Sequence, residues 1–277
     1  NVAIGYRTMG ALHGVGGIST GTHNVAIGNE SLNAVTTGKN NIGIGNGPLR
    51  QLTVGEYNVA LGSGALQKNV GGSRSTAVGY VALHNQTPVS DGTAMWNVGV
   101  GYGSGFKTTI GIENIFLGYN AGYANTQGSK IVALGNKALD TANPSSAVDT
   151  YNIGVGASAG TAVSTGIKNI SIGGSTAATL TTGSNNITIG HSTDVSASGA
   201  TNQVVIGYDT AGILDKEVSV PPNIKPAVRF IAVSDVVPTG SKGARTNSCA
   251  ATTAPTEAPP FKKFAAYLPP RAIGKPM

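Results

Sequence analysis

By residue type, the groups best suited to chemistry in this chain are three aspartates, Asp91, Asp140 and Asp149. A pair of carboxylates facing one bond is what glycoside hydrolysis requires. These three stand apart from other acids, however, and Asp91-Gly92 reads as a plain turn signal. Four histidines, His13, His23, His84 and His191, show no metal-ligand spacing, and His23 and His84 fall at or near turns, where a solvated ring is expected. A single cysteine, Cys249, excludes an internal disulfide framework and a multi-cysteine metal site. No nucleophile elbow, phosphate loop, EF-hand loop or zincin helix occurs. Gly43-Ile44-Gly45 and Gly99-Val100-Gly101 imitate fragments of dinucleotide loops, but they belong to a wider periodicity. The expectation is a chain with no catalytic residues, no metal and no cofactor.

The elements that would have to position any site are set by that periodicity. NVAIG or a close variant begins at residues 1, 24, 41, 58, 75, 97, 114, 131, 152, 169, 186 and 203. The period is 17 residues, lengthened by 6, 5 and 4 residues in the first, fifth and eighth copies. Only 11% of the 277 residues are charged and 5% aromatic, while 41 are glycine. Such a chain cannot fill a thick core, yet at 40% hydrophobic it is too apolar to stay disordered. Many short strands between glycine turns fit both limits.

Position two of the repeat is β-branched (Val2, Val25, Ile42, Val59), position four is Ile, Leu or Val, and position three is mostly small (Ala26, Gly43, Ala60). Alternation predicts a strand that buries positions two and four and leaves its small-residue face open to close approach. Glycine closes the strand in all twelve copies and recurs at position fifteen, as at Gly38, Gly55 and Gly72. Two glycine corners predict coils of two strands, the second supplied by Ala65-Leu66, Ala82-Leu83 and their equivalents. The opening asparagines, such as Asn24, Asn41 and Asn58, should stack into an amide ladder. The N-x-S/T matches at Asn29, Asn85, Asn169 and Asn186 read as by-products of the repeat rather than glycan acceptors. The fold class is therefore all-β: a β-solenoid, or parallel β-roll, of about twelve coils over residues 1–207. The third position is too mixed for the flat threonine array of an ice-binding solenoid.

The wording Thr36-Thr37-Gly38-Lys39-Asn40-Asn41-Ile42-Gly43-Ile44-Gly45, repeated at Thr181 to Gly190, resembles the repeats of bacteriophage and viral tail-fibre proteins. It is also similar to the head repeats of trimeric autotransporter adhesins, whose shorter period fits less well. The resemblance covers residues 1–207. It implies a parallel homotrimer on a virion surface or otherwise extracellular, with host attachment as its role. The implied partners are further copies of itself, other structural proteins of the particle, and a host receptor or glycan. A bacterial adhesin head is the alternative, as is a fibre-borne glycan depolymerase using the aspartates named above.

Residues 208–277 hold ten of the thirteen prolines and carry net +4, against +2 for residues 1–207. They read as a proline-rich basic segment with strand potential at Val228–Val237 and polyproline character beyond. Lys262-Lys263 beside Phe261 and Phe264 is the pattern that would suit nucleic acid, but docking to a neighbouring protein is the expectation, not nucleic acid. The chain opens inside a repeat, so its natural start, with any targeting segment, is expected upstream. Binding is expected on the insertions, at Met9, His84, Met95, Trp96 and Tyr151, because stacked loops gather on one side of a solenoid.

Overall fold

The computed structural model describes residues 1–10, 20–212 and 218–219. The strands are β1 (Val2–Ile4), β2 (Val25–Asn29), β3 (Ile42–Asn46), β4 (Val59–Leu61), β5 (Thr76–Val78), β6 (Val98–Val100) and β7 (Ile115–Leu117). They continue as β8 (Val132–Leu134), β9 (Ile153–Val155), β10 (Ile170–Ile172), β11 (Ile187–Ile189), β12 (Val204–Ile206) and β13 (Val218–Ser219). All thirteen form one sheet in chain order. Every neighbouring pair is parallel, and β1 to β12 pair in repeat register, as in Ile42↔Val59 and Gly43↔Ala60. The chain is thus a parallel β-solenoid that places the same repeat position at the same point of every coil. β13 pairs with β12 through Val204↔Val218, so the sheet runs past Gly207, where the repeat wording stops. Cys249, the Val228–Val237 stretch and the basic proline-rich segment lie outside the described residues.

The asparagine ladder is present, and it binds backbone to backbone. Asn41 donates its amide to the Gly55 carbonyl at 2.8 Å, while its Oδ1 accepts the main-chain N–H of Asn58 at 3.0 Å. Asn24, Asn114, Asn169 and Asn186 repeat the pattern. From Asn24 onward each ladder asparagine is buried, so each closes two groups that water cannot reach. This burial also removes Asn169 and Asn186 as glycan acceptors. The ladder breaks where Ser75, Ile131 and, at its end, Gln203 replace asparagine; the coils that open at Ser75 and Ile131 carry insertions. At the first break the side chain of Gln86 steps in, accepting from Ser75 Oγ at 3.1 Å and from Asn97 Nδ2 at 3.0 Å.

Two sequence expectations are overturned. The strand faces are inverted: position three is buried in every coil from β2 to β12, whereas positions two and four are half-buried or exposed. The interior of a one-strand-wide coil is narrow, and the leucine of position nine already occupies it. A Cβ on Gly99 would lie 2.8 Å from Leu83 Cγ, and one on Gly154 would lie 2.8 Å from Leu139 Cγ. Small residues at position three are what that leucine demands.

The second expectation, a second strand in each coil, fails as well. Positions seven and nine are left-handed, as at Glu30 (φ 52°) with Leu32 (φ 50°) and Val81 (φ 48°) with Leu83 (φ 49°). Alternate left-handed residues curl the chain into a turn and drop the leucine inward. Burying that side chain, worth about 1.5–3 kcal/mol, offsets the strained backbone. The turns still bond from coil to coil, as Leu49 N–H does to the Ala65 carbonyl at 3.0 Å.

One coil pair trades volumes. Phe116 fills position three of its coil and is wholly buried, while Gly105 and Gly122 replace the leucine of position nine beside it. A Cβ on Gly122 would overlap the Phe116 ring. Phe116→Ala should therefore cost about 3–5 kcal/mol, and Gly122→Leu alone should also destabilise. The double variant should regain most of the loss, since Leu66 holds the same left-handed position at φ 50°. Chemical denaturation of the four proteins measures this coupling, and additive losses would refute it.

The strand-closing glycines are constrained twice. Gly118 sits at φ +133°, and a Cβ there would lie 2.5 Å from the Gly135 carbonyl oxygen of the next coil. Gly118→Val should lower stability by about 3 kcal/mol or more. An unchanged thermal melt would show that the corner has room the geometry denies.

Candidate functional site

The five residues expected to bind do not form one site. Met9 and Met95 are buried completely: Met9 takes the inward ninth position, and Met95 takes position sixteen just after its insertion. Trp96 and Tyr151 are exposed at position seventeen, in a left-handed column that also holds Tyr57, Arg74, Glu113 and Lys130. Arg74 lies over the Tyr57 ring at 5.7 Å, and Lys130 over Tyr151 at 5.2 Å. Glu113 and Lys130 separate Trp96 from Tyr151 along this column. The second and third insertions do share a corner, because both fall between the thirteenth and sixteenth positions, after Thr87 and after Asn143. Residues 11–19 of the first insertion lie outside the described residues.

The aspartates also separate. Asp140 accepts from Thr161 Oγ1 at 2.7 Å. Asp149 pairs with Lys130 at 2.5 Å on the surface. That bond holds Asp149 below the usual carboxylate range and raises Lys130. Asp91 instead borders a shallow cleft with Glu56, Ser73 and Arg74.

His84 leads to a surface the sequence reading passed over. At position six, three successive coils carry Tyr80, Tyr102 and Tyr119, stacked at 5.2 and 5.3 Å. At position ten the same coils carry His84, Phe106 and Tyr123, stacked at 5.3 and 5.2 Å. The two columns wall a cleft of about 430 Å³, with Val81 and Asn120 between them. A register of coils about 4.8 Å apart is what brings rings 17 or more residues apart into stacking distance. The signal was legible as an aromatic or histidine four residues after tyrosine in three consecutive repeats.

Across the sheet, the outward side chains of positions two and four form two apolar columns. Ile4, Ile44, Ile115, Leu117, Ile172 and Ile206 are among the exposed members, at 38 to 58% of full exposure. A parallel sheet normally has both faces covered. Among the described residues, the inner face meets its own coil and nothing covers the outer face.

The fold is that of a parallel β-solenoid. Neither family models, nor curated proteins, nor solved structures yield a match to this chain.

Burial holds the His84 ring below the ordinary histidine pKa; the neighbouring Asn85 opposes this shift and Lys68 adds to it. Asn85 donates its amide to the Phe106 carbonyl and so turns its oxygen to His84 Nδ1 at 3.2 Å, while Gln67 Oε1 lies 2.8 Å from Nε2, so the ring is held between two amide oxygens. Because the folded chain keeps this ring neutral, the unfolded chain takes up a proton first as pH falls. Stability should decline as pH drops below about 6.5 toward the lowered folded value. Thermal melts at pH 7.5 and 5.5 should show the decline, and His84→Gln should reduce it. An equal decline in the variant would assign the effect elsewhere.

Proposed function

We propose that this chain is a structural fibre or surface-decoration protein of a virus particle, acting in host-cell attachment as a parallel homotrimer without catalysis. The observation that carries the proposal is the bare outer face of the sheet. Two columns of Val, Ile and Leu, interrupted only by Thr76 at position two of β5, follow the solenoid axis from β1 to β12. Each half-exposed side chain would gain about 1 kcal/mol on being covered. A partner able to cover such a stripe must be long, straight and of the same period, and a second copy of the chain meets all three requirements. A rotation axis along the shaft closes the assembly and leaves no apolar column wet. The outward turns and insertions then remain free for a host receptor or glycan and for neighbouring structural proteins of the particle.

The full chain should sediment as a trimer at micromolar concentration. Ile115→Lys combined with Leu117→Lys, on the outer face of β7, should shift it toward monomer, because paired charges resist burial. A stable folded monomer of the unaltered chain would refute the assembly. For the attachment role, excess purified chain should compete with particles for host cells, and undiminished adsorption would refute it.

A further inference from the structure

We infer that the cleft between the Tyr80–Tyr102–Tyr119 and His84–Phe106–Tyr123 columns is an oligosaccharide-binding site, with the sugar chain lying along the solenoid axis. The inference deepens the attachment reading above and rests on it.

The first argument is that the fold does not need these rings. At position six, other coils carry Asn29, Asn46, Ser63 and Asn136, and at position ten they carry Asn33, Arg50, Gln67 and Asp140. All of them keep the same backbone path. Rings also stand at position six at Tyr6, His191 and Tyr208, but among the described coils only the three of the cleft carry rings at both positions. With Tyr80, Tyr102 and Tyr119 each about half exposed, they form a contiguous aromatic patch where polar residues would serve the coil equally well. The cleft volume lies within the range of small-ligand sites.

The second argument is the chemistry of the lining. The lining residues are uncharged, with Lys107 Nζ 5.4 Å from the Tyr123 ring centre as the nearby cation, and they alternate ring carbon with the tyrosine hydroxyls, the His84 ring and the Asn120 amide. Apolar surface interleaved with neutral donors and acceptors suits a polyhydroxylated ring, which has both kinds of surface itself. A peptide strand is a poor occupant because the main chain beneath is already bonded. Gly103 donates to the Tyr80 carbonyl at 3.0 Å, Asn120 to Tyr102 at 2.9 Å and Lys137 to Tyr119 at 2.8 Å. The ring spacing of 5.2 to 5.3 Å repeats along the axis, so an extended chain of sugar units meets similar surroundings on each coil.

The third argument is an acceptor without a partner. Asn120 Oδ1 is buried and makes no hydrogen bond. It lies over Gly103, in space that a Cβ there would occupy, at the floor of the cleft. Such an orphan is uncommon in a native fold. A sugar hydroxyl satisfies it once the amide turns toward the cleft. The preceding coil carries Ser63 at position six, so the column of stacked rings ends at Tyr80.

The test is titration of the full chain with cello-, chito-, malto- and galacturonan oligosaccharides of two to six units, followed by calorimetry and tyrosine fluorescence. Saturable binding of at least one series is expected, tightening with length up to about the span of three coils. Tyr102→Ser and Tyr119→Asn borrow residues that other coils already carry at this place, so both variants should fold. Each should weaken binding at least tenfold, Asn120→Ser should weaken it severalfold, and Trp96→Ala should leave it unchanged. Absence of binding in every series, or binding indifferent to Tyr102→Ser and Tyr119→Asn, overturns the inference. Sedimentation and adsorption of the same samples keep the two proposals apart. An adherent trimer that binds no sugar loses the cleft alone, whereas a non-adherent monomer loses the attachment reading.

Discussion

Everything in this molecule follows from one constraint: each coil must bond its main chain to the coils on both sides, strand above strand about 4.8 Å apart. Register then ceases to be a local choice. A residue type that suits one position must tolerate its own copy directly above and below. Asparagine does so by offering a donor and an acceptor at once, which is why Asn41 can join Gly55 and Asn58 simultaneously. Glycine does so at the strand end by having nothing to collide with, as at Gly118 against Gly135. Of the three copies that lack the asparagine, those opening at Ser75 and Ile131 also carry extra residues, and the third, opening at Gln203, is the last of the ladder.

The coil count, the parallel order, the ladder and the glycine corners were legible in the sequence because stacking writes itself as repetition. What could not be read was which way each strand faces. Alternation says that two faces differ, and in an ordinary sheet the larger apolar face is the inner one. Here the space beside Leu83 and Leu139 is filled before the strand contributes, so Gly99 and Gly154 turn inward and the valines and isoleucines turn out. The leucines misled for a related reason. A left-handed leucine is rare enough that Ala-Leu reads as strand, and only the need to enter a narrow interior makes that conformation worth holding.

The candidate surfaces divided along similar lines. Insertions drew attention because they break the period, yet Met9 and Met95 beside them are ordinary core residues. The aromatic cleft keeps the period and so passed as repeat variation. Its signal is substitution at fixed positions, Tyr80 and His84 where Ser63 and Gln67 stand one coil earlier. In a solenoid, departures in residue type at constant spacing deserve the same weight as departures in length.

The direction of the hydrogen bonds bears on how the shaft responds to force. Bonds between coils point along the axis, so a pull from the ends loads the coil interfaces in series. Such an arrangement peels one turn at a time, each releasing on the order of 55 Å of slack for 17 residues of extended chain. The interfaces with an interrupted asparagine ladder, after Ser75 and after Ile131, are the seams where peeling would pause or begin. A solenoid built this way yields in steps, one coil after another, rather than all at once.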